Sequence, residues 1–268
     1  MNIKATRSHN PIFWVSFFLK ASLKMQNIQQ LLLFLLIFPL AHPGPLKSGI
    51  IGGHEAVPHS RPYMAALKAE DDFVCGGFLV APQWVMTAAH CMDHFTVVLG
   101  AHDLHAVEET QQIFGVESYH MHPNYNEFII SHDILLLKLS HPAIINRYVQ
   151  VIPLPRSDKE VPDGTLCTTS GWGKIDQLVR SYKLYETNIT IYNRRKCMKF
   201  YPELDEAMIC AGSFHELRDT SQGDSGGPMV CRGVVEGIVS YGHSVPPGVY
   251  SRIADFLPWI KHIMKSNA

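Results

Sequence analysis

The chain has 268 residues, and its 23 basic and 24 acidic side chains give a formal net charge of -1. With 46% hydrophobic and 18% charged residues, the composition excludes a disordered chain, and the near-zero charge provides no basic face for nucleic acid. The length suits one large all-β domain or two smaller domains.

The first 49 residues differ in composition from the rest of the chain. They contain five basic residues and no acidic one, which leaves residues 50–268 with 18 basic and 24 acidic residues, a formal charge of -6. Their apolar runs, Pro11–Leu19 and Leu31–Ala41, are both shorter than the roughly 20 residues that cross a membrane. The second run follows Met25 and ends among small residues, as in a secretory signal peptide. We therefore predict a leader at 1–49 whose signal peptide starts at Met25, rather than a membrane anchor, and a secreted protein.

From residue 50 onward, short apolar stretches alternate with Gly, Pro, Asn and Asp. The stretches with the length and composition of strands are Phe78–Val80, Trp84–Thr87, Thr96–Leu99, Gln112–Val116, Ile134–Leu139, Thr187–Tyr192, Gly237–Tyr241 and Gly248–Ile253. Short strands at this spacing are typical of all-β sandwiches and barrels. The proline-flanked stretch Val151–Pro155 is the predicted linker between two halves, about 50–155 and about 156–268.

Only the C-terminus has clear helical periodicity in the sequence. Its apolar residues recur at helical spacing: Phe256, Trp259, Ile260, Ile263 and Met264. Asp255 stands before this stripe and is the predicted N-cap. We expect the helix to pack its apolar face on the strands.

All six cysteines lie downstream of the leader: Cys75, Cys91, Cys167, Cys197, Cys210 and Cys231. An even number in a secreted chain predicts disulfides, although spacing alone does not choose the pairs. A zinc site is the weaker alternative, because the sequence contains no Cys-x-x-Cys. The stretch Asn188-Ile189-Thr190 is a sequon, so we predict a glycan on Asn188 at the surface.

The motif Gly223-Asp224-Ser225-Gly226-Gly227 predicts a reactive serine. Glycines on both sides permit a tight turn and the close approach of a substrate backbone. Such a turn would direct the N–H groups of Gly223 and Ser225 towards one point, where they form an oxyanion hole.

Two further segments supply a base and a carboxylate. His90 precedes a cysteine in Thr87-Ala88-Ala89-His90-Cys91, and Asp133 opens a buried strand in Ser131-His132-Asp133-Ile134. Each residue alone can be structural. Together with Ser225, they predict nucleophilic catalysis by a Ser-His-Asp arrangement.

These motifs resemble those of trypsin- and chymotrypsin-type serine proteases, and the resemblance extends from Ile50 to about Met264. It implies an all-β fold of two six-stranded antiparallel β-barrels with a C-terminal α-helix and a catalytic cleft between the barrels. Ser225 would be the nucleophile, His90 the general base and then the general acid, and Asp133 the group that orients the imidazole. The resemblance also implies the disulfides Cys75–Cys91, Cys167–Cys231 and Cys197–Cys210.

The start of the mature chain is implied by the same resemblance. Ile50-Ile51-Gly52-Gly53 resembles the mature N-terminus of these proteases, in which the new amine of Ile50 would pair with Asp224. The chain is most similar to granzymes and mast-cell proteases, because Ser221 stands where most other relatives have a cysteine. A removable dipeptide, Ser48-Gly49, then implies an activating dipeptidyl peptidase and storage in secretory granules.

Asp219 implies the substrate preference. It stands six residues before Ser225, at the base of the family's primary pocket, where a carboxylate favours Arg or Lys in the substrate. The other positions that match the pocket are Ser240, Tyr241, Gly242 and Gly248. Chymases usually lack this aspartate, so an active protease of chymase-like or mixed specificity is one alternative. A protease-like binding or antimicrobial protein with little turnover is the other.

We predict no cofactor and no metal. Ala101 and Gln111 stand where the relatives' calcium loop carries acidic ligands. The expected partners are protein or peptide substrates, serpin-type inhibitors and the activating dipeptidyl peptidase, without nucleic acid, and we expect a monomer. The basic run Arg194-Arg195-Lys196 is interpreted as a solvated face rather than an exosite.

Overall fold

The computed structural model describes residues 53–174, 181–213, 223–243 and 246–267. They belong to one compact unit, Lys47–Ala268. The strands are β1 (His54–Glu55), β2 (Met64–Ala69), β3 (Asp72–Ala81), β4 (Trp84–Thr87), β5 (Thr96–Leu99), β6 (Gln112–Met121), β7 (Leu135–Leu139), β8 (Leu166–Gly171), β9 (Tyr185–Tyr192), β10 (Met208–Gly212), β11 (Pro228–Cys231), β12 (Val234–Gly242) and β13 (Gly248–Arg252). The helices are a 3-10 turn at Ala89–Cys91, α1 (Arg194–Cys197) and α2 (Ile253–Ser266).

The first barrel is a closed antiparallel sheet of six strands in the order β2-β3-β4-β7-β6-β5. It closes where β5 pairs with β2, with Leu99 opposite Ala65. The apolar run of β7 is buried almost throughout, as expected for a strand inside a barrel. The barrel interior is filled by large side chains such as Leu67, Phe78 and Met86, none of which is exposed.

The second barrel has the order β9-β10-β13-β12-β11-β8, and β8 pairs back onto β9. Cys167 and Ile189 face each other at that closure. β1 adds to the outside of this barrel, because His54 pairs with Glu186 of β9. The implied architecture of two six-stranded barrels is therefore confirmed, with the N-terminal strand attached to the second barrel.

α2 packs its apolar stripe on the barrels, as expected. Phe256, Leu257 and Ile260 are buried in a core that also contains Val235 and Ile238 of β12. Among the described residues, no helix is long and apolar enough to cross a membrane.

The predicted N-cap of this helix is wrong. α2 begins at Ile253, two residues before Asp255. The preceding strand, predicted to end at Ile253, therefore ends at Arg252. The Asp255 carboxylate lies in the first turn and accepts a 2.7 Å hydrogen bond from Arg252. Negative charge there stabilises the positive end of the helix dipole without capping it.

The segment between the barrels contacts both of them. Ile152 donates its N–H to the Leu79 carbonyl at 2.9 Å, and Pro153 accepts from Val235 at 3.1 Å. Covalent links add to this packing: the disulfides are Cys75–Cys91, Cys167–Cys231 and Cys197–Cys210, the pairs that the resemblance implies.

Candidate active site

Strand pairing in the first barrel brings His90 and Asp133 together. β4 and β7 are antiparallel, with Thr87 opposite Leu135. His90 follows β4 by three residues and Asp133 precedes β7 by two, so both residues leave the same end of the strand pair. The Cys75–Cys91 disulfide fixes the 3-10 turn that carries His90 to β3.

Asp133 is a buried carboxylate surrounded by hydrogen-bond donors. It is 1% exposed and accepts from the main-chain N–H of His90 at 2.9 Å and from its ring Nδ1–H at 2.7 Å. The Ser240 hydroxyl donates to the same carboxylate, and the Ser251 hydroxyl donates to the Asp133 carbonyl at 2.7 Å. These contacts orient the imidazole with Nδ1 towards the carboxylate, which leaves Nε2 to exchange a proton.

The turn around Ser225, residues 223–227, is called the serine turn, and its conformation requires its glycines. Gly226 has φ +76°, and a Cβ there would lie 2.0 Å from Thr87 Oγ1 and 2.5 Å from the Gly76 carbonyl. Gly76 in turn donates its N–H to the Ser225 carbonyl at 2.8 Å. Because Gly76 adjoins Cys75, whose disulfide holds Cys91, the turn lies against the segment that carries His90.

Two N–H groups of the turn have no acceptor among the residues that the structure describes. Within the described ranges, the main-chain N–H groups of Gly223 and Ser225 donate to no acceptor. Gly227 N–H, by contrast, closes the turn onto the Asp224 carbonyl at 2.9 Å. The two unused donors suit an oxygen atom that gains negative charge during a reaction.

Asp224 lies in a cradle formed by two glycines. It is 0% exposed, and its Oδ1 accepts from Gly173 N–H at 3.0 Å. A Cβ on Gly171 or Gly173 would lie 2.2 or 2.5 Å from that oxygen, so no larger residue fits without a shift. Its predicted partner Ile50 lies outside the described residues.

The predicted pocket residues are only partly described, because Asp219 falls outside the described ranges. Gly242 and Gly248 are opposite each other in β12 and β13, and a Cβ on Gly242 would lie 3.3 Å from the Gly248 Cα. Ser240 lies at a register shift of these strands, and its hydroxyl belongs to the Asp133 site.

Tyr241 faces a cluster of aromatic residues beside the glycine pair. Its ring centroid lies 5.7 Å from that of Tyr201, and burial raises its pKa to about 12. The Tyr201 hydroxyl donates to the Pro247 carbonyl at 2.7 Å and accepts from His243 N–H at 3.0 Å, so it joins both ends of the β12–β13 connection. No local sequence signal marks Tyr201 or Ser251, since only the folded strands bring them to these positions.

The predicted glycosylation site is exposed. Asn188 points outward from β9, where it pairs with Thr168 of β8. On its other side, β1 pairs only with residues 185 and 186 and β10 only with residues 190–192. Among the described residues, Asn188 therefore has no strand partner on that side.

The loop for which no calcium ligands are predicted is held by hydrogen bonds of the Gln111 side chain. Gln111 donates from Nε2 to the Ala106 carbonyl at 3.1 Å and to the Glu108 carboxylate at 3.2 Å. Glu108 also accepts from His102 N–H at 2.7 Å. Among the described residues, no group of three or more His, Cys, Asp or Glu side chains is arranged to hold a metal.

Two neighbouring histidine rings, one of them adjacent to Asp133 in sequence, predict that the folded protein loses stability in acid. The rings of His122 and His132 are 5.2 Å apart and nearly parallel, and His122 also contacts Trp259 of α2 at 5.0 Å. Burial, and then the charge of His132, lower the pKa of His122. The unfolded chain therefore binds more protons than the folded one, so stability falls as the pH drops below the ordinary histidine value.

When the pH is lowered from about 7.5 to about 5, we expect the Tm of His122→Gln to fall by less than the Tm of the parent protein. His262→Gln, which removes an exposed histidine from α2, is the matched control and should behave as the parent. An unchanged acid sensitivity in His122→Gln would assign the effect to other groups, such as His120, whose pKa burial also lowers.

Similarity to known proteins covers most of the chain and not only the candidate active site. The Trypsin family profile matches residues 50–260. The chain is 42% identical over 243 residues to mast cell protease 3 of Ovis aries, covering 88% of this chain and 97% of that protein. It is 43% identical over 244 residues to cathepsin G of Homo sapiens, covering 88% and 95%. It is 43% identical over 248 residues to granzyme B of Rattus norvegicus, covering 89% and 100%.

A solved structure agrees with the sequence comparisons. The structure of neuropsin, a serine protease expressed in the limbic system of mouse brain, matches with a TM-score of 0.75 at 38% identity. The match covers 79% of this chain and 98% of that chain.

Proposed function

The chain belongs to the trypsin family of serine proteases, with granzymes, cathepsin G and mast cell proteases among its relatives, and we propose that it is a secreted endopeptidase that cleaves after Arg or Lys. The observation that carries the catalytic part is the buried Asp133 carboxylate, which holds His90 through two hydrogen bonds of 2.7 and 2.9 Å. The Arg or Lys preference depends on Asp219.

The mechanism follows from these groups. His90 removes the proton from the Ser225 hydroxyl as its oxygen attacks the peptide carbonyl, and Asp133 stabilises the imidazolium that forms. The N–H groups of Gly223 and Ser225 bind the oxyanion of the tetrahedral intermediate. His90 then gives the proton to the leaving amine, and water hydrolyses the acyl-enzyme by the same steps in reverse order.

A carboxylate at the base of a pocket selects cationic side chains. Asp219 would form a charge-assisted pair with the Arg or Lys that enters, while Gly242 and Gly248 leave the walls free of side chains. Cleavage after aromatic residues is the alternative if the pocket is collapsed.

We expect Asp219→Ser to lower kcat/KM for Arg peptides by roughly 100- to 1000-fold, because the buried substrate cation loses its partner. Hydrolysis of Phe peptides should change much less. Asp158→Ser removes an exposed carboxylate between the barrels and serves as the control. Equal losses for Arg and Phe peptides would argue against a pocket role for Asp219.

We further propose that the chain is stored or secreted as a zymogen. Residues 1–49 would be removed, the last step by a dipeptidyl peptidase that releases Ser48-Gly49. The new Ile50 amine would then pair with Asp224, whose complete burial favours such an ionic partner. A glycan on the exposed Asn188 and inhibition by serpin-type proteins belong to the same proposal.

Peptide hydrolysis tests the proposed function directly. Protein with Ile50 as its free N-terminus is compared on peptides that end in Arg, Lys, Phe, Leu or Asp, with Ser225→Ala as the blank. Cleavage after Arg or Lys, absent in the blank, supports the proposal. Cleavage only after Phe or Leu rejects the pocket assignment, and no cleavage of any peptide favours a binding protein.

A further inference from the structure

A buried histidine outside the catalytic site is paired with a carboxylate near the mature N-terminus. His102 is 5% exposed, and its Nε2 lies 3.1 Å from Oε1 of Glu55 in β1. Lys183 approaches the same oxygen, also at 3.1 Å. Hydrogen bonds from His102 and then Lys183 lower the pKa of Glu55, so this carboxylate stays charged at neutral pH.

A second carboxylate secures the same strand. Glu186 of β9 contacts Arg61 at 2.8 Å and His54 of β1 at 3.5 Å. β1 contains only two residues, so its strand pairing provides few main-chain hydrogen bonds. The side-chain contacts of His54 and Glu55 therefore add to the few main-chain hydrogen bonds of this strand.

The main chain of His102 connects this segment to a buried tryptophan. Its carbonyl accepts from Leu184 N–H and from the Trp172 indole Nε1–H, both at 2.9 Å. Leu184 in turn accepts from Ala56 N–H at 2.9 Å. Trp172 is 0% exposed, so its ring cannot move without displacing these neighbours.

Trp172 lies between the two glycines that cradle Asp224. Gly173 N–H donates to the Asp224 carboxylate at 3.0 Å, and a Cβ on Gly223 would lie 2.9 Å from the Gly173 Cα. The serine turn is therefore in close contact with the main chain on one side of Trp172. Direct contacts run from β1 through His102 and Trp172 to the residue that precedes Ser225.

We propose that Glu55 and His102 are positioning residues that couple docking of the mature N-terminal segment to the geometry of the serine turn. The Glu55 carboxylate holds the His102 ring, the His102 carbonyl holds the Trp172 indole, and the glycines beside Trp172 hold Asp224. This inference rests on the proposed pairing of the Ile50 amine with Asp224 and on the proposed role of Ser225. Weakening the Glu55–His102 contact raises the fraction of molecules whose N-terminus is released.

The test compares two ion pairs of similar geometry. Glu55→Gln removes the charge that holds His102, and His102→Asn removes the ring. Glu117→Gln is the matched control, because Glu117 contacts Lys138 at the same 3.1 Å and is 49% exposed, against 40% for Glu55. The first readout is the rate at which cyanate modifies the Ile50 α-amine of the mature enzyme, measured by mass spectrometry with the lysines as internal reference.

We expect both Glu55→Gln and His102→Asn to speed modification of the α-amine about two- to tenfold, with Glu117→Gln unchanged. The second readout is the pH profile of kcat/KM. Loss of the proton from the Ile50 amine breaks its pair with Asp224, so the alkaline limb should move to lower pH by about 0.3 to 1 unit, the logarithm of the same fold-change.

Unchanged amine reactivity in Glu55→Gln overturns the coupling. A lower Tm without faster modification overturns it as well, because the substitution then affects only stability. If His102→Asn does not fold, Glu55→Gln decides the question, since Glu55 is partly exposed. A parent enzyme whose Ile50 amine reacts as fast as it does in the denatured chain rejects the proposed activation instead of the coupling, because a docked amine must be protected. Absence of peptide hydrolysis in the parent rejects the proposed function itself.

Discussion

Ser225→Ala is expected to lower kcat by roughly a million-fold while the protein remains folded. In the proposed mechanism the hydroxyl supplies the attacking oxygen, and an alanine has no nucleophile with which to form the acyl-enzyme. The turn itself should survive, because Gly76 N–H bonds the carbonyl of residue 225 rather than its side chain. Single-turnover kinetics, together with labelling by a serine-directed covalent probe, measure both the loss and its cause.

Ser140→Ala is a suitable control for this substitution. Among the described residues its hydroxyl contacts the neighbouring His141 ring on the surface and no other group, so its removal should leave kcat and labelling unchanged. A Ser225→Ala protein that keeps more than about one-tenth of the activity would show that another residue is the nucleophile.

Asp133→Asn is expected to lower kcat by roughly ten-thousand-fold with little change in KM. The carboxylate accepts from His90 through both of its oxygens and from Ser240, whereas an amide offers only one accepting oxygen. Its NH2 group would face a donor at one of these contacts, and the imidazole would adopt the tautomer that cannot take the serine proton. Stopped-flow measurement of the acylation step tests this directly.

Asp255→Asn provides the comparison for the loss of an aspartate charge. That side chain is exposed and contacts Arg252 at 2.7 Å at the start of α2, so only a small change in Tm is expected. If Asp133→Asn acylates within about tenfold of the parent, the carboxylate does not orient His90 as proposed.

Local sequence signals predicted the catalytic motifs and eight of the thirteen strands that the structure describes, while β1, β2, β8, β10 and β11 were not predicted. β4 and β5 have the predicted bounds, and β3 and β6 extend beyond them. β8 and β11 were missed because their sequences, Leu166–Gly171 and Pro228–Cys231, have neither clear alternation nor a long apolar run. They become strands by pairing with each other and with β9 and β12, and no local sequence signal encodes these pairings.

The polar surroundings of Asp133 could not be predicted either, because they also depend on contacts between residues that are distant in sequence. Ser240 and Ser251 are 107 and 118 residues away from it in sequence. No spacing rule links residues so distant, and both serines occur in strands that read as ordinary alternating segments. Their hydroxyls reach Asp133 only after the β12–β13 hairpin packs against the first barrel.

The attachment of β1 to the second barrel has a consequence during synthesis. His54 and Glu55 leave the ribosome early, but their partners in β9, Glu186 and Tyr185, are made about 130 residues later. At about 5–20 residues per second, that interval lasts roughly 6 to 26 seconds. The N-terminal segment therefore has no partner in β9 until the second half of the chain has emerged.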